Sequence, residues 1–216
     1  MNDIIIVGAG GHAKVIIDAI EKENKKKIIG IINKTHTAQS FLGYPILGGD
    51  SFFEKHLPTA HVIIAIGDNY TRAITAAKIK HQAPMISFTT VIHPCAIIAK
   101  NVTIGPGSFI AAGVIINTET TIGNHCIINT AATIDHENII EHFVSIAPGC
   151  TTGGKVHVKE GSFLGLGSKI IHNITIEKHA IIGAGAVVIK DVAPNTLMVG
   201  VPAQQIRQRK DNEPYL

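Results

Sequence analysis

The chain has 216 residues, 16% of them charged, and a formal net charge of +3. That length leaves room for two domains with buried cores. The weak charge, with no arginine between Arg72 and Arg207, excludes the basic stripe that binds nucleic acid.

Residues 4–7 form a short β-branched run, too short for a signal-peptide core, and no apolar stretch approaches the roughly 18 residues of a membrane span. A cytoplasmic protein is therefore expected. Gly8-Ala9-Gly10-Gly11-His12 and an apolar helical pattern through Ile20 follow, which read as strand, glycine-rich turn and helix. Such a turn lets backbone N–H groups and the helix dipole meet a diphosphate, although the same spacing suits a tight turn without ligand. An NAD site wants an acidic residue closing the second strand, where this chain has Asn33 and Lys34. A nucleotide-linked ligand is expected rather than a redox cofactor. The lysines at 25–27 read as a solvated helix end.

Residues 28–32 and 62–66 read as strands and 71–81 as a helix, giving a small Rossmann-like α/β domain over 1–88. Gly67-Asp68-Asn69 ends the third strand at the edge where open α/β sheets place ligands. It serves equally as a helix N-cap.

From Ile92 to Val188 a branched aliphatic residue recurs every six positions, Thr152 excepted. Four residues after each comes a mostly small column that includes Ser108, Thr120, Cys126, Asn138 and Cys150. Three residues after each comes a column rich in the types that tolerate positive φ, among them Asn101, Gly107, Gly113 and Gly149. A 3.6 period cannot produce these columns. The hexad predicts a parallel β-helix over 89–203, with three hexads per coil and roughly six coils. Cys126 and Cys150 read as small buried hydrophobes, since the cysteines 95, 126 and 150 form neither a disulfide framework nor a zinc site. Residues 204–216 read as a polar tail.

Stacking by eighteen residues lines up Thr118, His136, Gly154, His172 and Lys190 on one prism corner. His136 then lies about one strand spacing, roughly 4.8 Å, from Gly154, whose N–H suits a developing oxyanion. Glu137 occupies the column that prefers glycine or asparagine, and broken local rules concentrate at functional sites. A carboxylate beside an imidazole can fix its tautomer, which serves a general base. A solvated corner histidine is the competing reading, and a stronger one for His125, His142, His157, His172 and His179.

These residues resemble the left-handed β-helix acyltransferases, and within them the sialic acid O-acetyltransferase and nucleotide-aminosugar N-acetyltransferase group. The resemblance rests on Ile6 through His12, Ala65-Ile66-Gly67-Asp68-Asn69, Ile92-His93-Pro94, Ile127-Ile128-Asn129-Thr130, Asp135-His136-Glu137, Ile182-Gly183-Ala184-Gly185-Ala186 and Gly200-Val201-Pro202-Ala203. It implies a homotrimer with active sites between neighbouring prisms, and acetyl-coenzyme A as donor along a prism edge with no metal. It implies His136 as catalytic base with Glu137 as its acidic neighbour, and Gly154 holding the acetyl carbonyl. Further donor contacts would be Ser145, Leu166 and Ala184. Acceptor contacts would be Gly10, Gly11, His12, Asn33, Gly67 and Asn129. Two positions depart from relatives: Asn33 and Lys34 stand where uridine diphosphate sugar binders carry acids, and Ser145 stands where a histidine is common.

The expected activity is acetyl transfer to an amine or hydroxyl of a sugar, in first place a nucleotide-activated 4-amino-4,6-dideoxy sugar for surface glycans, with sialic-acid-type O-acetylation as the alternative. A hydratase resembling the γ-type carbonic anhydrases would need three histidines on zinc, with His136, His142 and His157 as loose candidates. The arginine partners expected of that group are missing from the repeat. A non-catalytic scaffold is the third class.

Overall fold

The computed structural model describes residues 2–34, 39–49, 51–55, 59–210 and 213. The small domain runs β1 (Asn2–Val7), α1 (Gly11–Glu23), β2 (Lys26–Ile32), β3 (Ser40–Phe41), β4 (Tyr44–Gly48), α2 (Phe52–Lys55), β5 (His61–Ile64) and α3 (Asn69–Gln82). Its sheet has the order β3-β4-β2-β1-β5, parallel except for the β3-β4 hairpin. Side chains alternate across β1. Ile4 and Ile6 join α1 residues Ile16 and Ile20 in one core, while Ile5 and Val7 face Ala76 and Ile79 of α3 in another. α3 starts at Asn69, two residues before the predicted helix, because Asp68 caps it: Oδ1 accepts from Thr71 N at 2.8 Å.

The hexads form a three-sided left-handed parallel β-helix, each strand two residues long and paired with the strand eighteen residues away. Face 1 carries Val91–Ile92, Phe109–Ile110, Ile127–Ile128, Ser145–Ile146, Phe163–Leu164 and Ile181–Ile182. Face 2 runs from Ile97–Ile98 to Val187–Val188, and face 3 from Thr103–Ile104 to Thr175–Ile176. Every sixth residue from Asn101 to Gly185 has φ between 54° and 76°, so the corner imposes the left-handed region on whatever residue stands there. For residues with a Cβ, such as Glu137 at 58°, this costs roughly 1–2 kcal/mol.

Small polar residues in the inward column satisfy corner carbonyls that point into the prism. Ser108 Oγ donates to Gly123 O at 2.8 Å, Thr120 Oγ1 to Asp135 O at 2.9 Å and Ser162 Oγ to Glu177 O at 2.8 Å. Cys126 packs as a buried residue and also joins this series, its Sγ lying 3.0 Å from Glu141 O; burial pushes the thiol up to about 12.

The small domain sits on face 1. The outward residues Val91, Phe109, Ile127, Ser145 and Ile181 are buried there, whereas Ile97 on face 2 and Ile139 on face 3 are 64% and 48% exposed. One hydrophobic cluster runs from β1 and α1 into the prism interior, so the two parts share a core. The residues read as a polar tail begin with a strand, Gln204–Gln208, which pairs antiparallel with Thr196–Val199 at the end of the face 1 sheet. It supplies the hydrogen bonds that an open edge would leave unmade. Arg209 then folds inward and donates to His179 O at 2.9 Å.

His125 stands at the corner between faces 3 and 1, stacked on Phe143 at 5.1 Å and edge-on to Phe88 at 4.5 Å. Burial, helped by the Arg72 charge, lowers it from 6.5 to about 4. A histidine kept neutral by folding contributes stability that is present above its unfolded pKa and lost as pH falls through the folded one, here between 6.5 and about 4. His125 alone should therefore remove about 2 kcal/mol between pH 7.5 and 5. His125→Phe should shrink the acid loss by that amount, since Phe143 already occupies the same corner one coil later with φ 57°. Urea midpoints at the two pH values measure this; an unchanged difference refutes it.

Candidate active site

His136 and Gly154 meet as the eighteen-residue stacking predicts. A Cβ placed on Gly154 would lie 2.5 Å from His136 Cε1 and 2.6 Å from Nε2, so the imidazole lies over a spot that only glycine leaves open. Nδ1 is 2.9 Å from Glu137 Oε2. The carboxylate is held below its usual range by His136 first and then by the Lys155 charge, whose Nζ is 3.5 Å from Oε1. An ionised carboxylate can only accept, so Nδ1 carries the proton and Nε2 presents its lone pair. The imidazole side chain is 48% exposed and opens into a cleft lined by Asp135, Gly153, Gly154, Lys155 and His172. Gly154 N–H donates to no acceptor among the described residues.

The loop under His136 is braced on all sides. Asp135 Oδ1 accepts from Asn117 Nδ2 at 2.9 Å and from His136 N at 2.8 Å, which holds its carboxyl below the usual range. Asn138, buried in the inward column, donates to the carbonyls of Asp135, His136 and Gly153.

A second cleft lies where the small domain meets face 1. Gly11, His12, Gly67, Asn129, Ser145 and Leu166 all line it. His12 packs edge-on to Phe109 at 5.4 Å, and its Nε2 is buried without a partner among the described residues. Burial and the Arg72 charge lower it to about 4, so it enters the cleft neutral. Gly10 is the N-cap of α1 beside this cleft. Asn33 is outside its lining; its N–H donates to Gly48 O at 3.0 Å, which ties β2 to β4. Leu166, 58% exposed, and Ala184 follow each other on the edge between faces 1 and 2. That exposed apolar edge and the free Gly154 N–H suit a long thioester substrate.

Ser145, expected as a donor contact, lines this second cleft and also bonds across the domain interface. It is buried, donates to Asn69 Oδ1 at 2.6 Å and accepts from Arg72 Nη2 at 3.1 Å. Arg72 itself is fully buried. It donates to the carbonyls of Ile66, Gly67, His125 and Phe143 and to Asn69 Oδ1, at 2.7–3.2 Å. Sequence reasoning passed over Arg72, since an exposed helix face accounts equally well for an arginine on α3, and read Asn69 only as part of the Gly67-Asp68-Asn69 strand end.

The histidines weighed for a metal do not converge in the protomer. His136 pairs with Glu137, His142 Nδ1 accepts from Asn124 N at 2.9 Å, and His157 Nε2 is 2.7 Å from Glu141 Oε1. Among the described residues no three ligand-type side chains meet. No helix among them is long and apolar enough to cross a membrane.

Residues 3–79 match the family described as the PglD N-terminal domain. A point variant of GDP-perosamine N-acetyltransferase from Caulobacter crescentus, solved with CoA and GDP-perosamine, is 32% identical; the match covers 96% of this chain and 98% of that one, with a TM-score of 0.90. The acetyltransferase domain of PglB from Neisseria gonorrhoeae FA1090, solved with acetyl coenzyme A, is 27% identical over 95% and 100% of the two chains, with a TM-score of 0.90. Shorter matches reach serine acetyltransferase of Escherichia coli K12, 36% identical over 86 residues and 36% of this chain, and a putative acetyltransferase of Schizosaccharomyces pombe, 42% identical over 60 residues and 28% of this chain. The chain spans 32% and 29% of the length of these curated relatives.

Proposed function

The chain belongs to the hexapeptide-repeat sugar acetyltransferase family, and we propose that it moves an acetyl group from acetyl-coenzyme A to the amine of a nucleotide-activated 4-amino-4,6-dideoxy sugar. The observation that carries this reading is the half-exposed imidazole whose Nδ1 is committed to Glu137 and whose ring covers Gly154. Nε2 of His136 takes a proton from the attacking amine. Gly154 N–H is offered to the acetyl oxygen as charge builds there. A C–N bond forms, the C–S bond breaks, and His136 returns the proton to the leaving sulfur.

The cleft holding His12, Gly67 and Asn129 receives the nucleotide-sugar, and the edge carrying Leu166 and Ala184 receives the donor. The lining of the acceptor cleft shares no residue with the cleft at His136. A complete site then needs the His136 corner of one protomer against the acceptor cleft of a neighbour, in a cytoplasmic homotrimer with three such sites. The Asn33-Lys34 pair, in place of two acids, favours a nucleotide other than uridine.

Purified protein incubated with acetyl-coenzyme A and a panel of nucleoside diphosphate 4-amino sugars tests the reading. Free thiol should appear together with one acetyl per sugar by mass. Release only with hydroxyl acceptors would move the assignment to O-acetylation, and no release with any sugar would refute it.

A further inference from the structure

The inward column contains a single amide, Asn138, and it stands at the corner that carries His136. At Ser108, Thr120 and Ser162 the hydroxyl in this column donates to one carbonyl fifteen residues ahead, whereas Ser168 Oγ donates to Cys150 Sγ at 3.2 Å. Asn138 also makes the bond fifteen residues ahead, Nδ2 to Gly153 O at 2.9 Å, and its two hydrogens also reach, one of them shared, Asp135 O at 2.9 Å and His136 O at 3.2 Å. Three carbonyls around one terminal atom require the NH2 end of the amide there, because an oxygen would face only acceptors. Its Oδ1 is left buried in the prism without a partner among the described residues. An unpaired buried acceptor is a standing cost, which a serine at this position would avoid while still reaching Gly153.

What the amide gains for that cost is a link between two coils. Asp135 and His136 lie on one coil; Gly153 precedes Gly154 on the next. Thr120 reinforces the same point, accepting from Asn138 N at 3.2 Å while donating to Asp135 O at 2.9 Å. We propose that Asn138 is a positioning residue that sets His136 Nε2 and the Gly154 N–H at the separation acetyl transfer needs. The inference rests on the acetyltransferase reading above and goes beyond it, since Asn138 touches neither substrate.

Asn138→Ala and Asn138→Ser test this. The column already accepts alanine at Ala132 and cysteine at Cys126, so the prism backbone tolerates small residues there. Serine can keep the bond to Gly153 O but not the two that hold the His136 loop. Both variants should melt within a few degrees of the parent and keep its KM for both substrates. The alanine variant should lose about 10–100-fold in kcat, the scale of a misplacement near 1 Å, with serine in between. On protein carrying 15N in its histidine rings, the His136 signals should change from the Nδ1–H tautomer to a mixture of both in the alanine variant. Parental kcat together with a single His136 tautomer in either folded variant overturns the proposal, as does an activity loss that only tracks the folded fraction. If the parent itself transfers no acetyl group, the acetyltransferase reading fails, and the His136 ring signals still decide whether Asn138 holds the imidazole.

Discussion

Replacing His136 with alanine is expected to lower turnover by about two to four orders of magnitude, the usual contribution of a positioned general base. Affinity for acetyl-coenzyme A should stay nearly unchanged. The expectation follows from the geometry of one ring. Glu137 occupies Nδ1 at 2.9 Å, so Nε2 is the atom left to receive a proton, and it lies over the one face of Gly154 where a Cβ would collide. The edge at Leu166 and Ala184, where the proposed function seats the donor, belongs to another corner, which is why binding of coenzyme A should survive. Steady-state kinetics and a binding titration on the same preparation separate the two quantities. A variant with parental turnover would remove His136 from the mechanism.

Arg72→Ala should destabilise the protein by roughly 3 kcal/mol or more, because a buried network loses its central donor and several carbonyls face a void. Arg72 joins Ile66 and Gly67, at the sheet edge beside the cleft on face 1, to His125 and Phe143 on two successive coils. Arg72→Lys should recover only part, since an ammonium has three donors and no planar fork. The loss should be uneven. Two of the three tyrosines, Tyr44 and Tyr70, belong to the small domain, so tyrosine fluorescence, read on a Tyr215→Phe background, should report unfolding at lower urea than circular dichroism in the variant, with the two coincident in the parent. Coincident curves with a shift below about 1 kcal/mol would show that the hydrophobic contact alone seats the domain.

The hexad determined the prism by itself, since each strand pairs with the residue eighteen positions away and each corner repeats every six. The same arithmetic placed His136 over Gly154 and flagged Glu137 as a residue forced into the left-handed region. The cleft at face 1 was half readable: Gly11, His12, Gly67 and Asn129 do come together, Ser145 joins them there while bonding to Asn69 and Arg72, and Asn33 lies outside the lining. A signal for the covered face was present in the outward residues Val91, Phe109, Ile127, Phe163 and Ile181, an apolar series with one break, whereas the other faces mix Ile97, Ile115 and Ile139 with Thr121, His157 and Lys169. Ser145 is the polar break in that series. What fills the break is Arg72, 73 residues away in the chain, and no repeat relates the two. A solenoid's internal contacts are periodic and therefore readable from spacing. The seat of a second domain on it depends on which buried donors and acceptors happen to match across the interface, and only the folded arrangement decides that.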